Sequence, residues 1–496
     1  MISKMELSEI KLIFKKGLKA VVELVNNLYG KINELIKRVE ELENQLSKYE
    51  IKNKELINQK SKNSTNSSKP PTTDGFNKKK KKTRSLREKS KLKSGGQVGH
   101  KGTTLEMVPN PDKIIPIEVI NCKNCNHHFE ESEKHIEKKQ VKDIPSLKAL
   151  VTEYELEVGL CPICEIKTIG DFPFCYNKDI QYGPNIKSYV VYESKYNFIP
   201  LNRIVKSVKG LFKINLSEGT VCNFISEFNL IIKSPVELIK QGLIKSKIVC
   251  FDESGGRCNG KLNWFHVATN KVLTYFSFNP KRGKKGMDAA GILPFFKGKA
   301  VHDCYASYYN YIVEHVLCNA HILRELIFEK EENLQKWAGE MINLLLSIKL
   351  EVKERIESGK SKLSPKKINQ YESEYDKILK KGFRKNPYQE KESNKKGKAK
   401  QSDTYNLLKR LREHKSEFLA FMYDFEVPFD NNLSERDIRM LKVYIKVSGC
   451  FRSLSGAQAF CNIRSYLLTA KKQGVSAYQA INDAFHGKPF MPNISE

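Results

Sequence analysis

At 496 residues with 40% hydrophobic content, the chain is too long for one hydrophobic core and apolar enough for roughly two to four. Its formal net charge of +29 calls for a polyanionic partner, of which nucleic acid fits best. No apolar run approaches the ~18 residues of a membrane span and the first residues, Met1 to Glu6, lack a signal-peptide core, so no membrane role and a cytoplasmic, nucleoid-associated location are expected.

The first predicted element is a coiled-coil helix over residues 1–58. Val21, Val25, Leu28, Ile32, Leu35, Val39, Leu42 and Leu46 alternate spacings of four and three, which forms a heptad seam and predicts a homodimer or higher oligomer. Residues 59–104 turn rich in Ser, Asn, Pro, Gly and Lys and read as a flexible basic linker. Within it Lys78, Lys79 and Lys80 open an unbroken run to Lys82, and Arg84 and Arg87 follow, so the linker is expected to lie along phosphates.

Residues 105–180 carry two pairs, Cys122-x-x-Cys125 and Cys161-x-x-Cys164. In a reducing compartment two such knuckles predict one structural Zn²⁺ held by four thiolates, whereas a single pair would read equally as a redox motif. In the region 181–245, Ile204, Val208 and Leu211 line one helix, and Val221, Phe224, Ile225 and Phe228 line a second that Ser217 is suited to cap. This pattern fits a helix-turn-helix whose second helix enters a DNA groove, and it fits an ordinary helical hairpin nearly as well.

Residues 246–318 and 425–475 read as an α/β catalytic core, interrupted by a helical insertion over 319–424 and followed by a tail, 476–496. Ile248 to Asp252 and Lys299 to Asp303 are apolar runs that each end on an aspartate, so both carboxylates are expected at strand ends, the first followed by a Gly-rich turn. Glu435 follows Asn432 and Ser434, and Ile438, Leu441 and Ile445 continue at helical spacing. Two strand-end aspartates facing a helical glutamate can hold two divalent ions about 3.5–4 Å apart, an arrangement suited to phosphodiester chemistry with Mg²⁺ or Mn²⁺. Strand-end aspartates also act as caps, so position alone leaves a structural role open. Arg436, Arg439, Lys442, Lys446 and Arg452 lie near the glutamate in sequence and are candidates for phosphate contacts.

Phe251-Asp252-Glu253-Ser254, His302-Asp303-Cys304-Tyr305-Ala306-Ser307-Tyr308 and Asp430-Asn431-Asn432-Leu433-Ser434-Glu435-Arg436, in that order, resemble the three blocks of DDE transposases of the insertion sequence 66 family. The resemblance extends upstream through Asn66 to Pro71, Gly95 to Gly102 and Ser217 to Thr220, and downstream through Ser448 to Ser453. It implies a multidomain α+β protein with a zinc-finger-like region before a ribonuclease H-like core. Asp252, Asp303 and Glu435 would be its catalytic metal ligands, and its partners would be terminal inverted repeats, target DNA and small accessory proteins of the same element. Cys318-Asn319-Ala320-His321 is similar to a C-x-x-H signature at this position in several transposase families. A DNA-binding protein derived from a transposase, or a ribonuclease H-like nuclease, remains as an alternative from the same features.

Overall fold

The computed structural model describes residues 7–61, 105–145, 147–171, 180–390, 399 and 401–494. The basic run with Lys78, Lys79, Lys80, Arg84 and Arg87 lies outside the described residues. The chain divides into two compact units, one of Met1–Thr83 with Val316–Asp430, the other of Arg84–His315 with Asn431–Glu496. It is a mixed α+β protein, with fifteen α-helices among the described residues.

In the first unit, helix α1 (Leu7–Lys15) precedes α2 (Leu18–Ser61), 44 residues long. The seam residues from Val25 to Leu42 remain 48–53% exposed, an apolar stripe that the single chain does not cover.

The second unit begins with β1 (Val158–Leu160) and β2 (Lys167–Ile169), a small antiparallel hairpin. Helices α3 (Pro184–Lys195), α4 (Leu201–Phe212), α5 (Glu218–Ile231) and α6 (Lys233–Lys245) follow. Ser217 caps α5 by accepting from the Thr220 amide at 3.0 Å, as its side chain and position predict.

Next come β3 (Ile248–Cys258), β4 (Lys261–Thr269), β5 (Thr274–Asn279), α7 (Lys284–Ala290), β6 (Lys299–His302) and β7 (Glu314–Leu317). The sheet order is β5-β4-β3-β6-β7, with β3, β4 and β5 antiparallel in turn and β6 parallel to β3. Asn259 and Gly260, with φ of 48° and 73°, make the tight turn between β3 and β4.

The expected Gly-rich turn after Asp252 is therefore corrected. Gly255 and Gly256 lie inside β3, and Asp252 is mid-strand rather than at a strand end. A Cβ on Gly256 would stand 2.8 Å from the Phe265 ring and 3.2 Å from Ile445, so the glycine admits close helix packing on the strand and does not mark a turn. Asp252 does lie just past the point where parallel pairing with β6 ends, since that register runs only from Ile248 to Cys250.

Returning to the first unit, α8 (Asn319–Glu331), α9 (Lys336–Glu357), α10 (Pro365–Lys385), α11 (Asp403–Glu413) and α12 (Lys415–Tyr423) pack around Trp337, Tyr375 and Phe418. Each of these buried rings contributes about 1.5–3 kcal/mol by leaving water. The second unit closes with α13 (Asn432–Ser448) against β3 and β4, α14 (Leu454–Lys472) against β5, and α15 (Ala477–Phe485). Among the described residues no helix is long and apolar enough to cross a membrane.

Candidate active site

Three elements of the second unit deliver carboxylates to one place. β3 carries Asp252, the residue after β6 is Asp303, and the first turn of α13 carries Glu435. The backbone fixes the first two: Oδ1 of Asp252 accepts from the Glu253 amide at 2.8 Å, and Oδ1 of Asp303 accepts from the Tyr305 amide at 2.9 Å. Glu435 sits at the positive end of its helix, where a carboxylate is favoured.

The helix is tied to the strand on both sides of Glu435. Asn431 donates from Nδ2 to the Phe251 carbonyl at 2.7 Å, directly beside Asp252. Asp437, two residues beyond Glu435, is buried, and its Oδ2 lies 2.9 Å from the Thr269 hydroxyl, 3.1 Å from the Thr274 hydroxyl and 3.3 Å from Lys472 Nζ. Asp437 thereby ties α13 to β4 and β5 two residues beyond Glu435.

Burial, followed by the negative charges of Glu253, Asp303 and Glu435, holds the Asp252 carboxyl well above the usual carboxylate range. Glu253 is raised as well, first by burial and then by Asp303, while a 2.6 Å hydrogen bond from the Tyr308 hydroxyl and the Arg282 charge oppose the rise. Burial and the surrounding negative charge thus work against ionising both Asp252 and Glu253 unless cations are added. The donor set is hard, all oxygen, and fits Mg²⁺ or Mn²⁺.

The basic candidates divide. Arg436, Arg439, Lys446 and Arg452 are exposed, whereas Lys442 is half-buried and donates its ammonium to the Gly255 carbonyl within the fold. Burial pushes the Lys442 amine down.

Of the helical pair, α5 buries Val221, Phe224, Ile225 and Phe228 and carries no Lys or Arg. The cations are on α4, which exposes Arg203, Lys206 and Lys209 along one face.

The two cysteine pairs form matching knuckles. Asn126 and Glu165 each adopt positive φ and donate their amides at 2.9 Å to the carbonyls of Cys122 and Cys161. Hydrogen bonds from the Cys125 and Asn124 amides hold the Cys122 thiol below its ordinary value, and those from Cys164 and Ile163 do the same for Cys161. One thiol of each pair is thus lowered, yet no three of the four sulfurs lie within 4.8 Å of one another.

Sequence reasoning did not single out Glu253, Arg282, Tyr308, Asn431 or Asp437. Glu253 was legible as a second acid beside Asp252 in a strand. The Glu253 partner of Arg282 is 29 residues away in the chain, and the threonine partners of Asp437 are 163 and 168 away, so no local pattern announces them.

No curated protein matches the chain. A model described as a family of unknown function (DUF6444) matches residues 14–106, which include the long helix and the basic run. A second model, described as Transposase IS66 family, matches residues 179–459, a span that includes all three carboxylates and both helices of the α4–α5 pair. With more than half of its 496 residues matched, this chain belongs to the IS66 family of transposases.

Proposed function

We propose that the chain binds the ends of a mobile DNA element and catalyses divalent-metal-dependent strand cleavage followed by strand transfer. The observation that carries this is the approach of Asp252, Asp303 and Glu435 from three elements, with burial first, and then the charges of Glu253, Asp303 and Glu435, raising the Asp252 pKa. The sheet order, three antiparallel strands followed by a parallel one, supports a ribonuclease H-like reading of the core.

In this reading Asp252, Asp303 and Glu435 hold Mg²⁺ or Mn²⁺, and when bound the ions neutralise the phosphate and acidify a nearby water. The residues of the chain do the positioning. The Glu253 and Tyr305 amides hold the two aspartates in fixed orientations, and Asn431 and Asp437 hold Glu435 towards them. Arg436, Arg439, Lys446 and Arg452 then steer DNA phosphates towards the acids, together with the linker cations Lys78, Lys79, Lys80, Arg84 and Arg87. On the α4–α5 pair, α4 takes the phosphate-facing role, because Arg203, Lys206 and Lys209 are exposed there and α5 lacks cations.

Two further parts belong to the same proposal. The two cysteine knuckles, Cys122 with Cys125 and Cys161 with Cys164, would together hold one structural Zn²⁺. The half-exposed stripe of α2 pairs with a second copy, which would bring two element ends into one complex.

The test uses a duplex copied from the DNA that flanks the gene. Asp303→Asn keeps the shape and removes one charged ligand, so cleavage in Mg²⁺ should fall at least about a thousandfold while duplex binding persists. Cleavage by Asp303→Asn at the wild-type rate would overturn the assignment. Joining of cut 3′ ends to a second duplex separates strand transfer from simple hydrolysis.

A further inference from the structure

Arg282 follows β5 and is held on three sides. Its guanidinium carbon lies 4.9 Å from the Trp264 ring centroid and 4.1 Å from that of Tyr305, so two aromatic rings pack close to the cation. Its Nε and one terminal nitrogen reach Oε1 of Glu253 at 2.9 and 2.8 Å. That carboxylate is 2% exposed and also accepts from Tyr308, so it is a rigid internal anchor. Glu253 adjoins Asp252 on β3, and Tyr305, which stacks on the arginine, donates its amide to Asp303.

Despite this confinement, the Arg282 side chain is 37% exposed. A guanidinium has five N–H donors in a fixed fork, and the bonds to Glu253 use two of them. Burial works against its charge, but Glu253, with smaller contributions from Tyr305 and Asp303, keeps it firmly protonated. A structural counter-ion has no need of two ring clamps and an open edge beside a cluster of acids. A group that must grip a polyanion without being pulled into those acids does.

We propose that Arg282 contacts a DNA backbone phosphate next to the one that reacts, with Glu253, Trp264 and Tyr305 holding its fork in place. The inference rests on the reading of the three carboxylates as a DNA-cleaving centre, and adds a fixed cation to that centre. Arg282 adjusts the path of the strand across the acids and takes no part in the chemical step.

The experiment measures affinity of the full-length protein for the flanking-DNA duplex across a series of KCl concentrations, with Ca²⁺ in place of Mg²⁺. Arg282→Met should weaken binding roughly tenfold and reduce the salt slope by about one, the signature of a lost phosphate contact. Arg282→Lys retains the charge without the fork and should fall between the two. The Met variant leaves Glu253 buried without its cation, so Arg282→Met with Glu253→Gln is measured alongside and should show the same lowered slope with an unchanged melting temperature. If wild-type protein binds and cuts the duplex but both Met-containing variants retain the wild-type slope, the inference is overturned alone. If wild-type protein neither binds nor cuts, the parent reading and this inference fall together.

Discussion

Replacing Asp437 should damage both the fold and the site, in separable amounts. Its Oδ2 is approached by two hydroxyls and by Lys472, and the side chains of the ion pair are only 9% and 14% exposed. Removing one partner of a buried pair leaves the other charge uncompensated and costs about 3–5 kcal/mol. Arg464, also buried and drawn to the same carboxylate, adds to that penalty in Asp437→Ala. Asp437→Asn retains the shape and some of the hydrogen bonds, so its cost should be nearer 2 kcal/mol, the difference between a charge-assisted and a neutral contact. Pairing it with Lys472→Met, which removes the orphaned cation, should recover at least about 1 kcal/mol in a double-mutant cycle. Urea unfolding followed through the far-ultraviolet signal gives these values, and half-saturating Mg²⁺ for cleavage reports the site. Rotation of α13 away from the aspartates should raise that concentration severalfold in Asp437→Asn even below its melting temperature. An Asp437→Ala variant within about 0.5 kcal/mol of wild type, with unchanged Mg²⁺ dependence, would refute the claim that Asp437 sets the helix.

Because burial and neighbouring acids raise Asp252, the metal-free protein should lose stability as pH rises from the unfolded carboxylate pKa, about 4, towards neutrality; Mg²⁺ should restore it, and Asp252→Asn should remove both effects, read as melting temperatures at acid and neutral pH in chelator or Mg²⁺. Protein prepared without chelator should carry one zinc per chain by elemental analysis, and Cys161→Ser should lose it while sparing the carboxylates. Putting Asp at both Leu35 and Leu42, each about half exposed on α2, should lower the mass seen by light scattering and abolish paired-end complexes, while weakening binding to a single end much less.

What the sequence made legible was short-range. The apolar run into Asp303, the helical spacing after Glu435 and the Ser217 cap each depend on neighbours within a few residues, and β6, α13 and α5 occur where those signals put them. Asp252 was misjudged in one respect. Gly255 and Gly256 read as a turn, but the demand on Gly256 comes from the Phe265 ring on β4 and from Ile445, far along the chain. The rotation of α13 and the anchoring of Arg282 likewise depend on Thr269, Lys472, Glu253 and Trp264, which only the folded sheet brings to them. The absence of cations on α5 was readable in the sequence and bears on the proposed phosphate-facing role of α4 more directly than the hairpin pattern does.

The anchoring of α13 to β3 through Asn431 has a consequence for how the protein is made. Asp252 and Asp303 leave the ribosome before Glu435, which comes 132 residues after Asp303 and follows closely on Asn431, the asparagine that seats its helix. At about 5–20 residues per second, the nascent chain spends roughly 7–26 s with two carboxylates and no third. On the proposed reading it carries, during that interval, two of the three metal ligands, beside the DNA and RNA of its own expression. A gene copy truncated between Asp303 and Asn431 stays permanently in that state. Such a fragment still has the long helix and the basic run, so it could pair with full-length chains and occupy element ends, and shortened copies would then restrain the intact ones.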